Sequence, residues 1–238
     1  MNLTRREFAI GIGSGAFALT AAAIVTGLSN AWFMQPAAAQ DPSPADLSKA
    51  GPLGDMVLGD EKAPVTIIEY ASMTCPHCAH FHETAYPELK KRYIDTGKVR
   101  FIFREFPLDQ LAAAGFMLAR CSAQTVGSAP SNPEVAKSAA QRYYAMIETL
   151  FAQQRDWVVQ RPLQPLLAIA KQAGLSEQSF NECLKNQQLL DGIEDVRSRA
   201  SQKLGVNSTP TFFINGKKFP GALTIQDIEK AIQPYLKA

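Results

Sequence analysis

The chain has 238 residues, of which 46% are hydrophobic and 19% are charged. Its formal net charge is only +2 at pH 7, so it lacks the basic excess that is typical of nucleic-acid-binding proteins. About 200 residues follow an apolar N-terminal segment, which is enough for one domain with a large insertion or for two small domains.

Residues 1–39 are interpreted as an export signal. Arg5-Arg6 precede an uncharged run from Phe8 to Trp32, and Ala37-Ala38-Ala39 offers a small-residue cleavage site. The segment from Thr4 to Phe8 resembles a twin-arginine export motif, although the general secretory route stays open. An uncleaved signal would tether the chain to the membrane, because the apolar run is long enough to span a bilayer. In both cases the globular part is expected in the periplasm.

The next residues predict a linker followed by a strand–helix–strand unit. Residues 40–58 are predicted to be a flexible linker, because three prolines and several small residues lie between Asp41 and Pro52. The apolar run Val65–Tyr70 predicts a buried strand, and helical spacing of apolar residues continues to about Tyr93. Residues 98–103 alternate as a second strand. A strand, a helix and a strand in this order predict a parallel pair.

Helical periodicity dominates residues 108–204, which are rich in Ala, Leu, Gln and Lys. A β-hairpin is predicted after this block, since Asn215-Gly216 separates two short apolar runs and suits a type I′ turn. A last amphipathic helix is expected after Thr224. The helical block therefore interrupts a chain that is otherwise built from alternating strands and helices.

The sequence Cys75-Pro76-His77-Cys78 follows the first predicted strand and indicates thiol-disulfide chemistry. Pro76 suits the first helical position, so Cys75 is expected at the helix N-cap. The unpaired amide hydrogens of His77 and Cys78, the helix dipole and a protonated His77 would stabilise the Cys75 thiolate. Cys75 is therefore the predicted exposed nucleophile. Cys78, one turn later on the same face, is the predicted resolving cysteine.

Two other interpretations of these cysteines stay open. Cys75, Cys78, His80 and His82 could hold zinc, but all four come from one helix turn and its cap, whereas structural zinc usually joins separate segments. The second interpretation is a purely structural disulfide between Cys75 and Cys78. A bridge that closes so short a loop, however, restricts the unfolded chain little and so adds little stability. We expect no metal and no cofactor besides the redox-active cysteine pair.

Cys121 and Cys183 are the remaining cysteines. Four cysteines allow three pairings, and the proximity of Cys75 and Cys78 leaves these two as a candidate structural disulfide. Such a bridge would stabilise the fold by about 4 kcal/mol in the chain-entropy model. Two unbridged, buried thiols are the alternative, because free cysteines pack like small apolar groups.

Glu69 interrupts the first predicted strand close to the cysteines. If it is buried, desolvation would raise its pKa, and the carboxyl group could exchange a proton with Cys78 near neutral pH. The alternative is a glutamate at the end of a strand in contact with water.

Four features together resemble the DsbA-like thiol-disulfide oxidoreductases. They are Cys75-Pro76-His77-Cys78, Glu69 six residues before Cys75, Phe103-Arg104-Glu105-Phe106-Pro107, and Thr209-Pro210-Thr211-Phe212-Phe213-Ile214-Asn215-Gly216. The resemblance extends from Gly59 to Ala238 and implies an α/β fold of the thioredoxin type, with a central mixed sheet flanked by helices. The thioredoxin-like domain would comprise residues 59–107 and 205–238, and an all-helical domain, residues 108–204, would be inserted in it.

The resemblance also implies that Pro210 is a cis-proline packed against the disulfide. A cis bond is inexpensive only before proline, and here it would turn a backbone edge toward the cysteines, where an extended peptide could pair with it. The Thr209 hydroxyl could donate to the Cys75 thiolate or could satisfy backbone groups of its own loop. In the family, threonine at this position is commoner among isomerases and valine among oxidases, whereas a Pro-His pair between the cysteines resembles strongly oxidising members.

The predicted function is that of a monomeric periplasmic enzyme that donates the Cys75–Cys78 disulfide to reduced, unfolded exported proteins. The resemblance implies reoxidation by a quinone-linked membrane partner. An isomerase or reductase is an alternative, which Thr209 favours, although residues 40–59 are too few for the dimerisation domain of family isomerases. A non-catalytic peptide-binding module or chaperone is a second alternative.

Overall fold

The computed structural model describes residues 42–123 and 132–237, and its centre is a five-stranded mixed sheet with the order β1-β3-β2-β4-β5. The strands are β1 Met56–Leu58, β2 Val65–Ala71, β3 Val99–Glu105, β4 Thr211–Ile214 and β5 Lys217–Pro220. β2 and β3 are parallel, as predicted, and the other neighbours are antiparallel. The predicted export signal, residues 1–39, lies outside the described residues. Among the described helices, none is long and apolar enough to cross a membrane.

The helical connection between β2 and β3 is broken where the sequence predicted one continuous helix. It consists of α2 Pro76–Thr84, α3 Tyr86–Leu89 and a π-helical turn, Lys90–Ile94. Pro87 explains the break, because it has no amide hydrogen to donate to the preceding turn and its ring clashes with that turn.

Six helices are described in the insertion between β3 and β4, whose residues 124–131 lie outside the described part of the chain. They are α4 Gln110–Ser122, α5 Pro133–Ala152, α6 Gln154–Trp157, α7 Leu163–Gln172, α8 Glu177–Leu184 and α9 Gln187–Lys203. Four of these helices begin at an N-cap Asn, Asp or Ser residue whose side chain accepts a hydrogen bond from a backbone amide. Buried residues of the insertion and of the sheet belong to one hydrophobic core. The predicted fold class is therefore confirmed, with the helices packed directly against the sheet.

The prediction of a flexible linker over residues 40–58 is wrong for the part that the structure describes. Helix α1, Pro44–Ser48, begins at the capping residue Ser43, and β1 pairs with β3. Leu47, Leu53 and Met56 are buried. The high proline content obscured these three apolar residues, whose partners lie far away in the sequence.

Arg104 and Glu105 of β3 form ion pairs that connect the sheet to residues 42–58 and to the insertion. The Arg104 guanidinium donates to both carboxylate oxygens of Asp55, at 2.8 Å each, and to the carbonyl of Leu47. Glu105, the next residue, accepts from Arg120 of α4 at 2.6 Å. Since neighbouring residues of a strand point to opposite faces, one ion pair fixes residues 42–58 and the other fixes the insertion.

The C-terminal part follows the sequence-based prediction closely. Asn215 and Gly216 have φ values of 44° and 91°, as the central residues of a type I′ turn require. The final helix, α10 Ile225–Leu236, begins with a capping box between Thr224 and Asp227. Its buried residues Ile228 and Ile232 cover the sheet from the side of α3.

Candidate active site

Cys75 is the N-cap residue of α2, and Pro76 occupies the first helical position. Neither Cys75 nor Cys78 takes part in a disulfide in this structure. Cys78 is completely buried, and Cys75 is only 5% exposed. Cys75 is therefore less accessible than predicted, because the loop that contains Thr209 lies over it, with the Thr209 carbonyl 3.3 Å from the sulfur.

The pKa of Cys75 is lowered from 9.0 to about 5. A hydrogen bond from the Cys78 thiol contributes most, and it outweighs the opposing effect of burial. The Thr209 hydroxyl and the backbone amides of Cys78 and His77 lower the pKa further. The contribution of His77 that the structure shows is thus that of its backbone, while its side chain is exposed.

Cys78 has the opposite character. Burial raises its pKa well above 9.0, and hydrogen bonding to Cys75 and the negative charge of Glu69 raise it further. At neutral pH the pair therefore consists of a Cys75 thiolate and a Cys78 thiol. This arrangement suits Cys75 as the attacking sulfur and Cys78 as the resolving one.

The loop opposite the cysteines contains a cis peptide bond between Thr209 and Pro210, as the family resemblance implied. The Thr209 hydroxyl oxygen is buried and has no hydrogen-bond partner among the described protein atoms other than the Cys75 sulfur whose pKa it lowers. Of the two roles that the sequence left open for this hydroxyl, the structure favours donation to the Cys75 thiolate.

Glu69 is fully buried in β2, which excludes the water-exposed alternative. One carboxylate oxygen lies 2.9 Å from Nε2 of His82. The His82 ring packs between Tyr86 and Phe151, with ring centroids 4.6 and 4.4 Å away. Sequence reasoning considered His82 only as a zinc ligand, although its position four residues after Cys78 places it on the same helix face.

The zinc interpretation finds no support in residues 42–123 and 132–237, where no three potential His, Cys, Asp or Glu ligands lie close enough together to hold a metal ion. His82 is engaged with Glu69, and His80 faces solvent on the other side of α2.

Gln154 is a site residue that the sequence analysis missed. Its amide nitrogen donates to the carbonyls of Met73 and Cys75, at 2.8 and 3.1 Å, and thereby connects α6 of the insertion to the active-site turn. A second connection runs from the Thr74 hydroxyl to Asp109, the N-cap residue of α4, at 2.7 Å. A lone glutamine in a helical block carries no sequence signal for such a role.

Cys121 and Cys183 form a disulfide between α4 and α8, with their Cα atoms 6.2 Å apart. The alternative of two unbridged thiols is therefore not what the structure shows. The bridge lies within the insertion and its sulfurs take no part in the Cys75–Cys78 pair.

A thiolate titration of the reduced protein is expected to have its midpoint near pH 5, because the pKa of Cys75 is about 5. Ultraviolet absorbance of the thiolate, followed from acid to neutral pH, measures this midpoint. The substitution Thr209→Val keeps the side-chain shape but removes the hydroxyl, and it is expected to raise the midpoint. A midpoint near pH 9 in the unmodified chain would contradict the arrangement described above.

Comparison with known proteins gives consistent results. The model of the family described as thioredoxin matches residues 52–234. A Rickettsia conorii protein with the provisional name protein-disulfide oxidoreductase is 33% identical to this chain over 187 residues. These residues cover 77% of this chain and 61% of that protein. Disulfide bond formation protein D of Bacillus subtilis is 27% identical over 188 residues, which cover 77% of this chain and 78% of that protein. The chain thus spans about three fifths of the Rickettsia relative.

Solved structures resemble the whole described fold. The crystal structure of Wolbachia pipientis alpha-DsbA1 is 32% identical, with a TM-score of 0.66 over 77% of this chain and 91% of that chain. Oxidised BdbD from Bacillus subtilis is 26% identical, with a TM-score of 0.61 over 83% of this chain and 97% of that chain.

Proposed function

Since the chain belongs to the DsbA-like branch of the thioredoxin family, we propose that it is a thiol-disulfide oxidoreductase that introduces disulfides into exported proteins. The observation that carries this proposal is the opposite shift of two neighbouring thiols, with the pKa of Cys75 lowered to about 5 and that of Cys78 raised. The proposed location is the periplasm, and the support for it is the export signal that the sequence predicts in residues 1–39.

The reaction transfers two electrons from the substrate to the enzyme disulfide. A substrate thiolate attacks the Cys75 sulfur, the Cys75–Cys78 bond breaks, and Cys78 leaves and takes up a proton because its pKa is raised. A second substrate thiolate then attacks the substrate sulfur of the mixed disulfide. The substrate disulfide forms, and Cys75 leaves as a thiolate that stays unprotonated at neutral pH.

Stabilisation of the Cys75 thiolate determines the direction of this exchange. A stabilised thiolate favours the reduced enzyme, so the corresponding disulfide is a strong oxidant. Thr209 does not oppose this direction, because its hydroxyl lowers the pKa of Cys75. We therefore favour an oxidase over an isomerase or a reductase.

The proposed partners follow from the chemistry. Reduced, unfolded proteins would bind in extended form beside the Thr209–Pro210 loop, where backbone pairing gives affinity without a residue code. Each turnover leaves the enzyme reduced, so a two-electron acceptor is needed, and a quinone-linked membrane protein is the acceptor that we propose. The chain would act as a monomer.

Equilibration with glutathione buffers tests the direction. The reduction potential of the Cys75–Cys78 pair is expected to lie closer to the about −120 mV of a strongly oxidising family member than to the about −270 mV of thioredoxin. The fraction of reduced protein at each buffer ratio, measured by mass spectrometry after thiol alkylation, gives the potential. A thioredoxin-like value would overturn the oxidase assignment.

Unfolding measurements give an independent measure of how much the Cys75 thiolate stabilises the reduced protein. At pH 7 the reduced protein is expected to be more stable than the oxidised protein. Because the pKa of Cys75 falls from 9.0 in an ordinary thiol to about 5 in the folded chain, this stabilisation is complete above about pH 9 and is lost as the pH falls through 5. Urea denaturation of both redox forms between about pH 5 and pH 8 measures the difference. Oxidised protein that is more stable throughout would contradict the proposal.

A further inference from the structure

The proposed reaction requires a proton to reach a sulfur that is sealed from solvent. Cys78 is 0% exposed, and its raised pKa means that it becomes protonated each time the disulfide is reduced. The same proton must leave when the disulfide forms again. One proton per half-cycle therefore crosses the protein interior to or from Cys78.

Glu69 and His82 form the first part of a route. Glu69 is also 0% exposed, so a proton that it exchanges with Cys78 cannot come directly from bulk water. Its Oε2 is bonded to Nε2 of His82, while its Oε1 is buried without a partner among the described protein atoms. The carboxyl group therefore has one oxygen engaged with His82 and one without a partner among the described protein atoms, and it lies near enough to Cys78 for its charge to raise the pKa of that thiol.

The second part of the route is a cavity of about 390 Å³ beside α2. His82 contributes to its wall, together with Tyr86, Glu148 and Phe151. Nδ1 of His82 is buried and has no partner among the described protein atoms. A cavity of this size holds several water molecules, which occupy roughly 30 Å³ each in the liquid. Nδ1 is thus the ring nitrogen that remains for a hydrogen bond to a water molecule that penetrates from the cavity to the buried ring.

We propose that His82 carries protons between Glu69 and water in this cavity, so that the two residues form a relay for Cys78. The inference rests on the proposed exchange function. His82 touches neither sulfur and acts through Glu69. Upon reduction of the disulfide, Glu69 gives a proton to Cys78, Nε2 of His82 gives one to Glu69, and Nδ1 takes one from water. Upon oxidation the three transfers run in reverse.

Charged groups surround His82, and the acidic ones outnumber the basic ones. Glu69 lies on the sheet side. The charged groups that line the cavity are Glu83 of α2 itself and, from other parts of the chain, Lys90, Lys91, Asp95 and Glu148. Lys90 and Asp95 neutralise each other at 3.0 Å. Imidazole can bind a proton at one nitrogen while it releases one from the other, so a histidine can pass protons in both directions.

The substitution His82→Gln tests the relay because a glutamine amide can still donate to Glu69 but cannot transfer a proton. The readout is the single-turnover rate at which oxidised protein is reduced by an excess of a dithiol peptide. This rate is expected to fall at least about tenfold at pH 7, as for the loss of a general acid. His80→Gln, the same change on the exposed side of α2, is the matched control and is expected to react at the unmodified rate.

Chemical rescue separates proton transfer from a structural role. In His82→Ala, free imidazole can enter the enlarged cavity, and it is expected to restore the rate in proportion to its concentration while leaving the unmodified chain unaffected.

The outcomes distinguish the relay from the underlying function. If the unmodified chain does not oxidise the peptide, the proposed function fails. If it does, but His82→Gln reacts at the unmodified rate with the same pH profile, the relay is refuted. A slow His82→Ala variant that imidazole does not accelerate also refutes it and assigns a packing role to the histidine.

Discussion

The substitution Cys75→Ser is expected to abolish oxidation of reduced proteins, with a loss of at least about 1,000-fold. Cys78 cannot replace Cys75, because it is completely buried and its pKa is raised, so it offers no thiolate to a substrate. The measurement is the rate at which disulfides form in a reduced model protein, followed by thiol alkylation and mass spectrometry.

Cys78→Ser is the matched variant, since it keeps the nucleophile and removes the resolving thiol. It is expected to attack disulfide-bonded substrates and to remain attached to them, which mass spectrometry detects as a covalent adduct. Cys75→Ser should form no such adduct. Unchanged oxidation by Cys75→Ser would instead favour a peptide-binding module or chaperone without redox turnover.

Removal of the buried charge at Arg120 is expected to lower the free energy of unfolding far more than removal of an exposed charge. The guanidinium bonds to Glu105 at 2.6 Å and donates to the carbonyls of Leu53 and Gly54 at 3.0 and 3.1 Å, and both charged side chains are 1% exposed. The substitution Arg120→Met would leave the Glu105 carboxylate buried without its counter-ion. Loss of one partner of a buried pair costs about 3–5 kcal/mol, which urea denaturation of the oxidised protein measures.

Lys171→Met is the control for this effect. Lys171 pairs with Glu177 at 3.0 Å, but both side chains are more than half exposed. Exposed pairs contribute between about 0 and 1 kcal/mol, so this variant is expected to unfold almost as the unmodified chain does. Similar losses in the two variants would show that the burial of the Arg120–Glu105 pair is unimportant.

The features that the sequence predicted correctly are mostly those with local causes. The parallel pair of β2 and β3 follows from apolar runs separated by a helical segment, and the turn at Asn215-Gly216 follows from the φ values that these residues tolerate. The N-cap position of Cys75 follows from Pro76. In each case neighbouring residues contain most of the information that determines the conformation.

The features that were missed depend on contacts between distant segments. Residues 42–58 are ordered by Arg104, about fifty positions away, and no local pattern reveals that pairing. Gln154 reaches the active-site turn from about eighty residues further along the chain. The spacing from Cys78 places His82 on the buried face of α2, but its pairing with Glu69 of β2 is a tertiary contact that no local pattern reveals.

Gln154 links the position of α6 to the position of the reactive sulfur. Its side-chain amide nitrogen donates hydrogen bonds to main-chain carbonyls on both sides of Thr74, those of Met73 and Cys75. The geometry of the turn that carries the reactive sulfur therefore depends on where α6 lies. A substitution that displaces α6 is expected to move the Cys75 carbonyl with it, even though it changes no residue beside the sulfur.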